Sequence, residues 1–151
     1  MKRKILLIIS FSILISLTAC TNPQPEKDKA EVEHPDLIQV NVEARELLTR
    51  SEEISNMVVE LYGIDDASTI IFNEDAYIAV IMAFDQEFTD ELKNLIIHQA
   101  KEKDALIENI YVTNDEKIFR QIDDIVFNLL QGESYDDQVK EINKIARKIK
   151  K

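Results

Sequence analysis

The side chain best suited to chemistry in this sequence is the thiol of Cys20, the only cysteine among 151 residues. A lone cysteine cannot form an internal disulfide, and without further thiolates it cannot build a cysteine-based zinc site. Cys20 follows Leu17, Thr18 and Ala19 at the end of an apolar run. Because the cysteine thiolate is a soft nucleophile, this position is a candidate for covalent modification.

The residues Leu17, Thr18, Ala19 and Cys20 resemble the lipobox of bacterial lipoproteins, which is cleaved before a cysteine that takes a diacylglyceryl group. A basic start and an apolar stretch over residues 5–17 are typical of a secretory signal peptide. At about 13 residues, the stretch is shorter than the roughly 20 that span a bilayer. We therefore predict a lipoprotein signal peptide over 1–19 and lipidation of Cys20. Acyl chains such as palmitate would then anchor the protein on the outer side of the cell membrane.

The remaining residues offer no catalytic constellation. The two histidines, His34 and His98, have no carboxylate or cysteine companions at metal-ligand spacing. No Gly-x-Ser-x-Gly elbow occurs, and the isolated Gly63 and Gly132 cannot form a phosphate-cradling loop. The sequence therefore predicts a protein that is not an enzyme and that has no metal site and no cofactor.

Pairs of acidic residues lie at predicted turns and helix starts, and carboxylate oxygens are the ligands that calcium prefers. They are Asp65 and Asp66, Glu74 and Asp75, Asp115 and Glu116, Asp123 and Asp124, and Asp136 and Asp137. The spacing and central glycine of an EF-hand are absent. Solvated turns and helix N-termini explain most of the pairs, and a weak calcium-binding surface is the alternative.

The charge of the chain excludes one class of partner. Removal of residues 1–19 would leave 15 basic and 29 acidic residues, a net charge of about −14. Such a surface repels phosphate backbones and anionic lipid headgroups alike, so we expect no nucleic acid partner. The remaining length suits a single domain with a substantial core.

The segment after the lipobox is predicted to be a linker. Residues 20–42 would form the lipidated N-terminus and a flexible tether, because residues 21–36 contain all three prolines and few apolar side chains. Within residues 37–42, Ile38, Val40 and Val42 alternate with polar residues, which is a short strand signal. This stretch either adds a strand to the domain or forms an extended lead-in.

The domain itself is predicted over residues 43–151. Apolar residues at helical spacing indicate a helix over 43–62, with Gly63 as its left-handed cap. Two β-rich runs, 68–72 and 76–84, are separated by three turn-prone residues and indicate a hairpin.

The second half of the domain is predicted to contain three helices and one strand. A helix opens at Thr89, a strand follows over 106–112, and Thr113 with Glu116 forms a capping box. That box starts a strongly amphipathic helix ending at Gly132. Ser134 then caps a last helix whose basic final residues suit a helix C-terminus. Contact of this basic tail with anionic lipid is the alternative explanation of its charge.

This order of elements predicts an α+β fold, a small open-faced sandwich (α-β-β-α-β, BON-like or ferredoxin-like) with two additional C-terminal helices. A strand over 37–42 would complete a βαββαβ core. The strand over 76–84 is apolar on both faces, so both sides of the sheet need cover. Either the two C-terminal helices cover the second face or part of it meets a partner protein.

The chain resembles the YhcN/YlaJ family of sporulation lipoproteins. The resemblance is carried by LYGIDDASTIIFNEDAYIAV at 61–80 and IYVTND at 110–115. Gly63, Ala67, Ala76 and Tyr77 match the family pattern, and all four are interpreted as structural. The resemblance brings no catalytic residues with it. It implies expression in the developing spore, attachment to a spore membrane, and a role in spore assembly, germination or outgrowth.

Two functional hypotheses follow from the anchor, the tether and the absence of a catalytic motif. The first is a lipid-anchored, non-enzymatic accessory or interaction module of the spore envelope that binds another envelope or spore protein. The alternative is an envelope lipoprotein that binds a small ligand, a glycan or calcium.

Overall fold

The computed structural model describes residues 35–150, with side chains from Val42 onward. The predicted signal peptide 1–19, the lipidation site Cys20, the tether up to His34, and Lys151 lie outside the described residues. Seven elements follow one another: α1 (Pro35–Val59), β1 (Ile64–Phe72), β2 (Asp75–Met82), α2 (Asp90–Lys103), β3 (Asn109–Thr113), α3 (Glu116–Leu130) and α4 (Tyr135–Ile149). The predicted order α-β-β-α-β-α-α, and with it the α+β fold, is confirmed.

The three strands form one mixed sheet with β2 at its centre. β2 pairs antiparallel with β1 and parallel with β3. The predicted hairpin is confirmed, with a turn of two residues, Asn73 and Glu74. Asn73 has a φ of 56°, a conformation that asparagine tolerates better than most residues. We call the edge of the domain at this turn the hairpin end.

The strand boundaries differ from the predicted ones by more than one residue at three places. β1 begins at Ile64 rather than at residue 68, because a β-bulge between Ile64 and Asp66 accommodates the acidic pair that had suggested a turn. β2 ends at Met82 rather than at residue 84. β3 begins at Asn109 rather than at residue 106, because the chain from Asp104 to Ile107 still forms a turn.

Helices cover both faces of the sheet and enclose two cores. α1 and α2 pack against the face that carries Ile78 and Val80, whereas α3 and α4 pack against the face that carries Tyr77 and Ala79. These four β2 side chains are all buried, as expected for a central strand that is apolar on both sides. The two C-terminal helices therefore cover the second face, which was the first of the two predicted alternatives.

α1 differs from the sequence prediction at both ends. Residues 37–42 belong to this helix, so the alternative of a strand and a βαββαβ core is not realised. Proline is favoured in the first turn of a helix, which accounts for the start at Pro35. The helix ends at Val59 rather than at residue 62, and Gly63, with a φ of 94°, turns the chain into β1 instead of capping the helix directly.

The predicted helix caps are confirmed at Thr89 and Ser134, whose hydroxyls accept N–H bonds from Leu92 and Asp137. Gly132 ends α3 as predicted: its N–H donates to the Leu129 carbonyl at 3.1 Å, and its φ is 96°. The predicted capping box of α3 is wrong.

Asp115, not Thr113, is the N-cap of α3. Its carboxylate accepts the N–H groups of Lys117 at 2.8 Å and Ile118 at 3.3 Å. Thr113 is the last residue of β3, and its hydroxyl accepts the Asp115 N–H at 3.2 Å. Because Thr113 takes part in the sheet, it cannot also occupy the position that caps the helix.

Candidate functional site

The densest group of polar side chains in the described residues surrounds Asp75, the first residue of β2. Its Oδ2 accepts hydrogen bonds from Lys150 Nζ at 2.6 Å and from the Tyr77 hydroxyl at 3.0 Å. Its Oδ1 accepts a hydrogen bond from Asn109 Nδ2 at 2.8 Å. The carboxylate thus joins the starts of β2 and β3 to the C-terminal end of α4.

Two tyrosines extend this group. The rings of Tyr77 and Tyr111, which are register partners on β2 and β3, stack with centroids 5.5 Å apart and planes 12° from parallel. Lys150 Nζ lies 4.6 Å from the Tyr111 centroid and 5.5 Å from the Tyr77 centroid. An ammonium group over aromatic rings gains cation–π attraction, so Lys150 is held by two aromatic rings and a carboxylate.

The protonation states of this group follow from its contacts. Desolvation raises the pKa of Asp75, but the hydrogen bonds from Lys150, Asn109 and Tyr77 outweigh it, so the pKa lies below its usual value. Burial raises the pKa of Tyr77, and the hydrogen bond to Asp75 raises the pKa of Lys150. At neutral pH Asp75 is a carboxylate, Tyr77 is a neutral phenol and Lys150 is an ammonium. None of these shifts brings a pKa toward neutrality, where a general acid or base works best.

A cavity of about 540 Å³ lies beside this group, between α4 and the hairpin. We call it the basic pocket. The residues that give it its chemistry are Asp75, Tyr77, Lys140, Asn143, Arg147 and Lys150. Lys140 forms no salt bridge with any side chain of residues 42–150, and Arg147 Nε donates to the carbonyl of Asn143 at 3.2 Å. The pocket therefore contains three cationic groups and one carboxylate, which favours an anion.

A second surface feature lies at the opposite end of the sheet. Tyr62 and Phe84 are 87% and 91% exposed. Tyr62 and Phe84 lie next to Gly63 and Ala83 in the chain. The Ala83 N–H donates a hydrogen bond of 3.0 Å to the Gly63 carbonyl, which extends the β1–β2 pairing beyond Ile64 and Met82. We call Tyr62 and Phe84 the aromatic pair. Exposed apolar side chains that together form a patch mark interaction sites, so the aromatic pair is a candidate for one.

The free edge of β1 is partly blocked. The N–H of Ile71 donates to Ser51 Oγ at 3.1 Å, and the N–H of Ala67 donates to its neighbour Asp66 at 2.8 Å. The Tyr135 hydroxyl donates to the carbonyl of Ile71. Such side-chain contacts protect an edge strand against pairing with another chain.

The groove next to this edge, between α1 and α3, has a volume of about 390 Å³. Thr69 contributes to its floor, and its hydroxyl is buried with no hydrogen-bond partner among the described atoms. Since that oxygen is itself inaccessible, it cannot contact a ligand, and the polar groups of the groove belong to other residues, such as Arg45, Glu52 and Asp123.

The site residues considered in the sequence are not brought together. Cys20 and His34 lie outside the described residues. His98 is exposed on α2, with its Nε2 3.6 Å from Glu102 Oε1. Within residues 42–150, no three His, Cys, Asp or Glu side chains lie close enough together to hold a metal ion. The acidic pairs are therefore dispersed, and only Asp75 belongs to a polar cluster.

Sequence reasoning missed the basic pocket. The basic end of α4 is explained in the sequence by the helix dipole or by contact with anionic lipid, and Tyr77 by cross-strand packing, and neither explanation predicts a pocket. The pocket depends on contacts between Asp75, Asn109 and Lys150, which lie far apart in the chain. The concentration of positive charge near the C-terminus of an acidic chain was the only available signal.

Comparison with known proteins supports the family resemblance drawn from residues 61–80 and 110–115. The sequence model of the family described as sporulation lipoprotein YhcN/YlaJ matches residues 22–150. The chain belongs to the YhcN/YlaJ family of sporulation lipoproteins. Family members are lipoproteins, so this sporulation-associated protein is associated with a membrane. Among the helices within residues 35–150, none has the length and apolarity that crossing a membrane requires.

One solved structure also aligns with the chain. The crystal structure of the type III secretion system protein EscJ of enteropathogenic E. coli aligns with a TM-score of 0.41 and 16% sequence identity. The alignment covers 71% of this chain and 68% of EscJ. No curated protein has significant sequence similarity to the chain.

Proposed function

We propose that this sporulation lipoprotein is attached through lipid on Cys20 to the outer side of a spore membrane and acts as a non-enzymatic interaction module. It would bind another envelope or spore protein and contribute to spore assembly, germination or outgrowth. The observation that carries the proposal is the aromatic pair, Tyr62 and Phe84, exposed at one end of a domain whose two cores are otherwise closed.

The aromatic pair lies at the opposite end of the domain from the start of α1. α1 and β1 run in opposite directions, because Ser51 contacts Ile71 near the hairpin end whereas residues 60–63 connect the two elements at the other end. The N-terminal turns of α1, which lead to Cys20, therefore point toward the hairpin end. The aromatic pair lies at the opposite end and remains accessible to a partner protein.

Truncation of the aromatic pair should weaken partner binding strongly. Aromatic side chains at the centre of an interface commonly contribute about 2 kcal/mol or more each when truncated. Loss of both Tyr62 and Phe84 should weaken binding by roughly a thousandfold. Since both side chains are almost fully exposed, their replacement should leave the fold intact.

The test is affinity recovery of the full-length lipoprotein from cross-linked membranes of sporulating cells. The Tyr62→Ser/Phe84→Ser variant should lose a partner protein that the wild type recovers. Leu106→Ser is the matched control, because Leu106 is 67% exposed and lies in the turn before β3 at the hairpin end. Equal recovery by all three proteins, or recovery of no partner by the wild type, would contradict the proposal.

A further inference from the structure

The positive charge of the domain is concentrated in one helix. The chain has a net charge of −11, yet residues 140–150 contain five basic side chains and one acidic side chain, Glu141. The basic residues are Lys140, Lys144, Arg147, Lys148 and Lys150. A helix macrodipole is equivalent to about half a charge at each end and acts within the last turn. It accounts for Arg147 and Lys148 but not for Lys140, which lies in the N-terminal half of α4.

Among the described side chains, some of these basic residues are neutralised by salt bridges, and others are free to bind an anion. Lys144 forms a salt bridge with Glu141 at 2.6 Å, and Lys150 forms one with Asp75 at 2.6 Å. Lys140 has no salt-bridge partner within residues 42–150, and the only hydrogen bond of Arg147 in that range uses Nε. The terminal nitrogens of Arg147 and the ammonium of Lys140, which both line the basic pocket, can therefore donate to a ligand.

The chemistry of the basic pocket suits a phosphate group. A guanidinium donates two parallel hydrogen bonds to a phosphate, and an ammonium adds a compact point charge. Both oxygens of the one carboxylate, Asp75, already accept hydrogen bonds, which reduces its repulsion of an anion. The volume of about 540 Å³ is ample for the phosphate of a lipid headgroup.

The basic pocket lies at the same end of the domain as the start of α1. Its residues are at the hairpin end, where the N-terminal part of α1 also lies: Ala44 and Arg45 line a cavity with Gly132 and Glu133, just before α4. Fourteen residues lie between Cys20 and Pro35, so at most about 50 Å of chain separates them. A membrane that holds Cys20 is thus within reach of the pocket.

We propose that the basic pocket binds the phosphate of an anionic lipid headgroup, and that this contact places α4 against the membrane to which the protein is anchored. The inference uses the proposed lipid on Cys20 but not the partner bound by the aromatic pair. Because electrostatic interactions are screened beyond about 8 Å at physiological salt, the local charge of the pocket, rather than the net negative charge, determines binding. Soluble phosphate shares the same chemistry and is distinguished by the test.

The test measures how fast an amine-reactive reagent modifies individual lysines of the full lipidated protein, read by mass spectrometry. The protein is placed in vesicles of phosphatidylcholine, or in the same vesicles with about 30 mol% phosphatidylglycerol. Modification of Lys140 should slow by roughly threefold or more in the anionic vesicles, which corresponds to two thirds occupancy. Lys117, exposed at the start of α3 at the other end of the sheet, is the internal control and should be unchanged.

Variants and a soluble probe complete the test. Replacement of Arg147 by Gln should abolish the protection of Lys140, whereas Arg120→Gln, on α3, should retain it. Millimolar inorganic phosphate added to phosphatidylcholine vesicles distinguishes the two sources. Protection by phosphatidylglycerol but not by phosphate assigns the pocket to the headgroup. Protection by phosphate alone, or protection of Lys117 to the same extent as Lys140, would overturn the proposal, as would the absence of any protection.

Discussion

Ser51 connects α1 to the free edge of the sheet, and its replacement by alanine should destabilise the domain. Ser51 is 1% exposed. Its hydroxyl donates to the carbonyl of Leu47 at 2.7 Å and accepts the N–H of Ile71 at 3.1 Å. In Ser51→Ala the Ile71 N–H would remain buried at the strand edge without a partner.

The two contributions to this change have opposite signs. An unpaired buried N–H costs about 1–3 kcal/mol. Alanine is a better helix former than serine by roughly 0.5 kcal/mol, and the Leu47 carbonyl keeps the N–H of residue 51 as its helical partner. The free energy of unfolding should therefore fall by about 0.5–2.5 kcal/mol.

Denaturant unfolding of the full-length protein, followed by circular dichroism, measures this difference. The midpoint should decrease while the slope of the free energy against denaturant concentration stays constant. Ser55→Ala is the matched control: Ser55 is half-buried on the same helix, and its hydroxyl has no partner among residues 42–150. That control should be as stable as the wild type or slightly more stable. If Ser51→Ala were as stable as Ser55→Ala, the role assigned to Ser51 would be refuted.

Two further predictions concern the hairpin and the turn before β1. Because the pKa of Asp75 is lowered in the folded state, its carboxylate should stabilise the domain by about 1 kcal/mol above pH 4 relative to Asp75→Asn. This difference should disappear as the pH falls through the folded-state pKa, and denaturant midpoints measured from neutral to acidic pH test it; a difference that persists at low pH would contradict it. Gly63→Ala should destabilise the domain by about 1–2 kcal/mol because Gly63 has a positive φ. A steric clash should not add to this cost, because an added Cβ would lie 3.5 Å from Gln86, which is an ordinary contact distance. Gly63→Asn should lose less, and equal losses in thermal or denaturant unfolding would place the cost in side-chain contact instead.

Local signals predicted most of the fold. The spacing of apolar residues in α3 and the glycine after it identified the element and its end, because both depend only on neighbouring residues. The hairpin was predicted from its β-rich runs and turn residues for the same reason. The bulge at Asp65 and the helical state of residues 37–42 were missed, because pairing with β2 and the continuity of α1 outweighed local turn and alternation patterns.

The two surface features differ in how far the sequence could predict them. Aromatic residues 62 and 84 are visible in the sequence, but their exposure depends on where β1 begins and β2 ends. The basic pocket requires the hairpin, the start of β3 and the end of α4 to meet, and none of these contacts is local. Lys150 shows the difference most clearly. In the sequence it is a lysine at the end of a helix, whereas in the fold it donates a hydrogen bond to Asp75 and lies over the Tyr111 ring.

The proposed function depends most directly on the state of Cys20. Mass spectrometry of the protein isolated from the membranes of sporulating cells measures it. We expect the N-terminal peptide to begin at Cys20 and to carry a diacylglyceryl group on its sulfur. A chain that retains residues 1–19, or that begins elsewhere with an unmodified Cys20 thiol, would contradict the proposal that the protein acts from a lipid anchor.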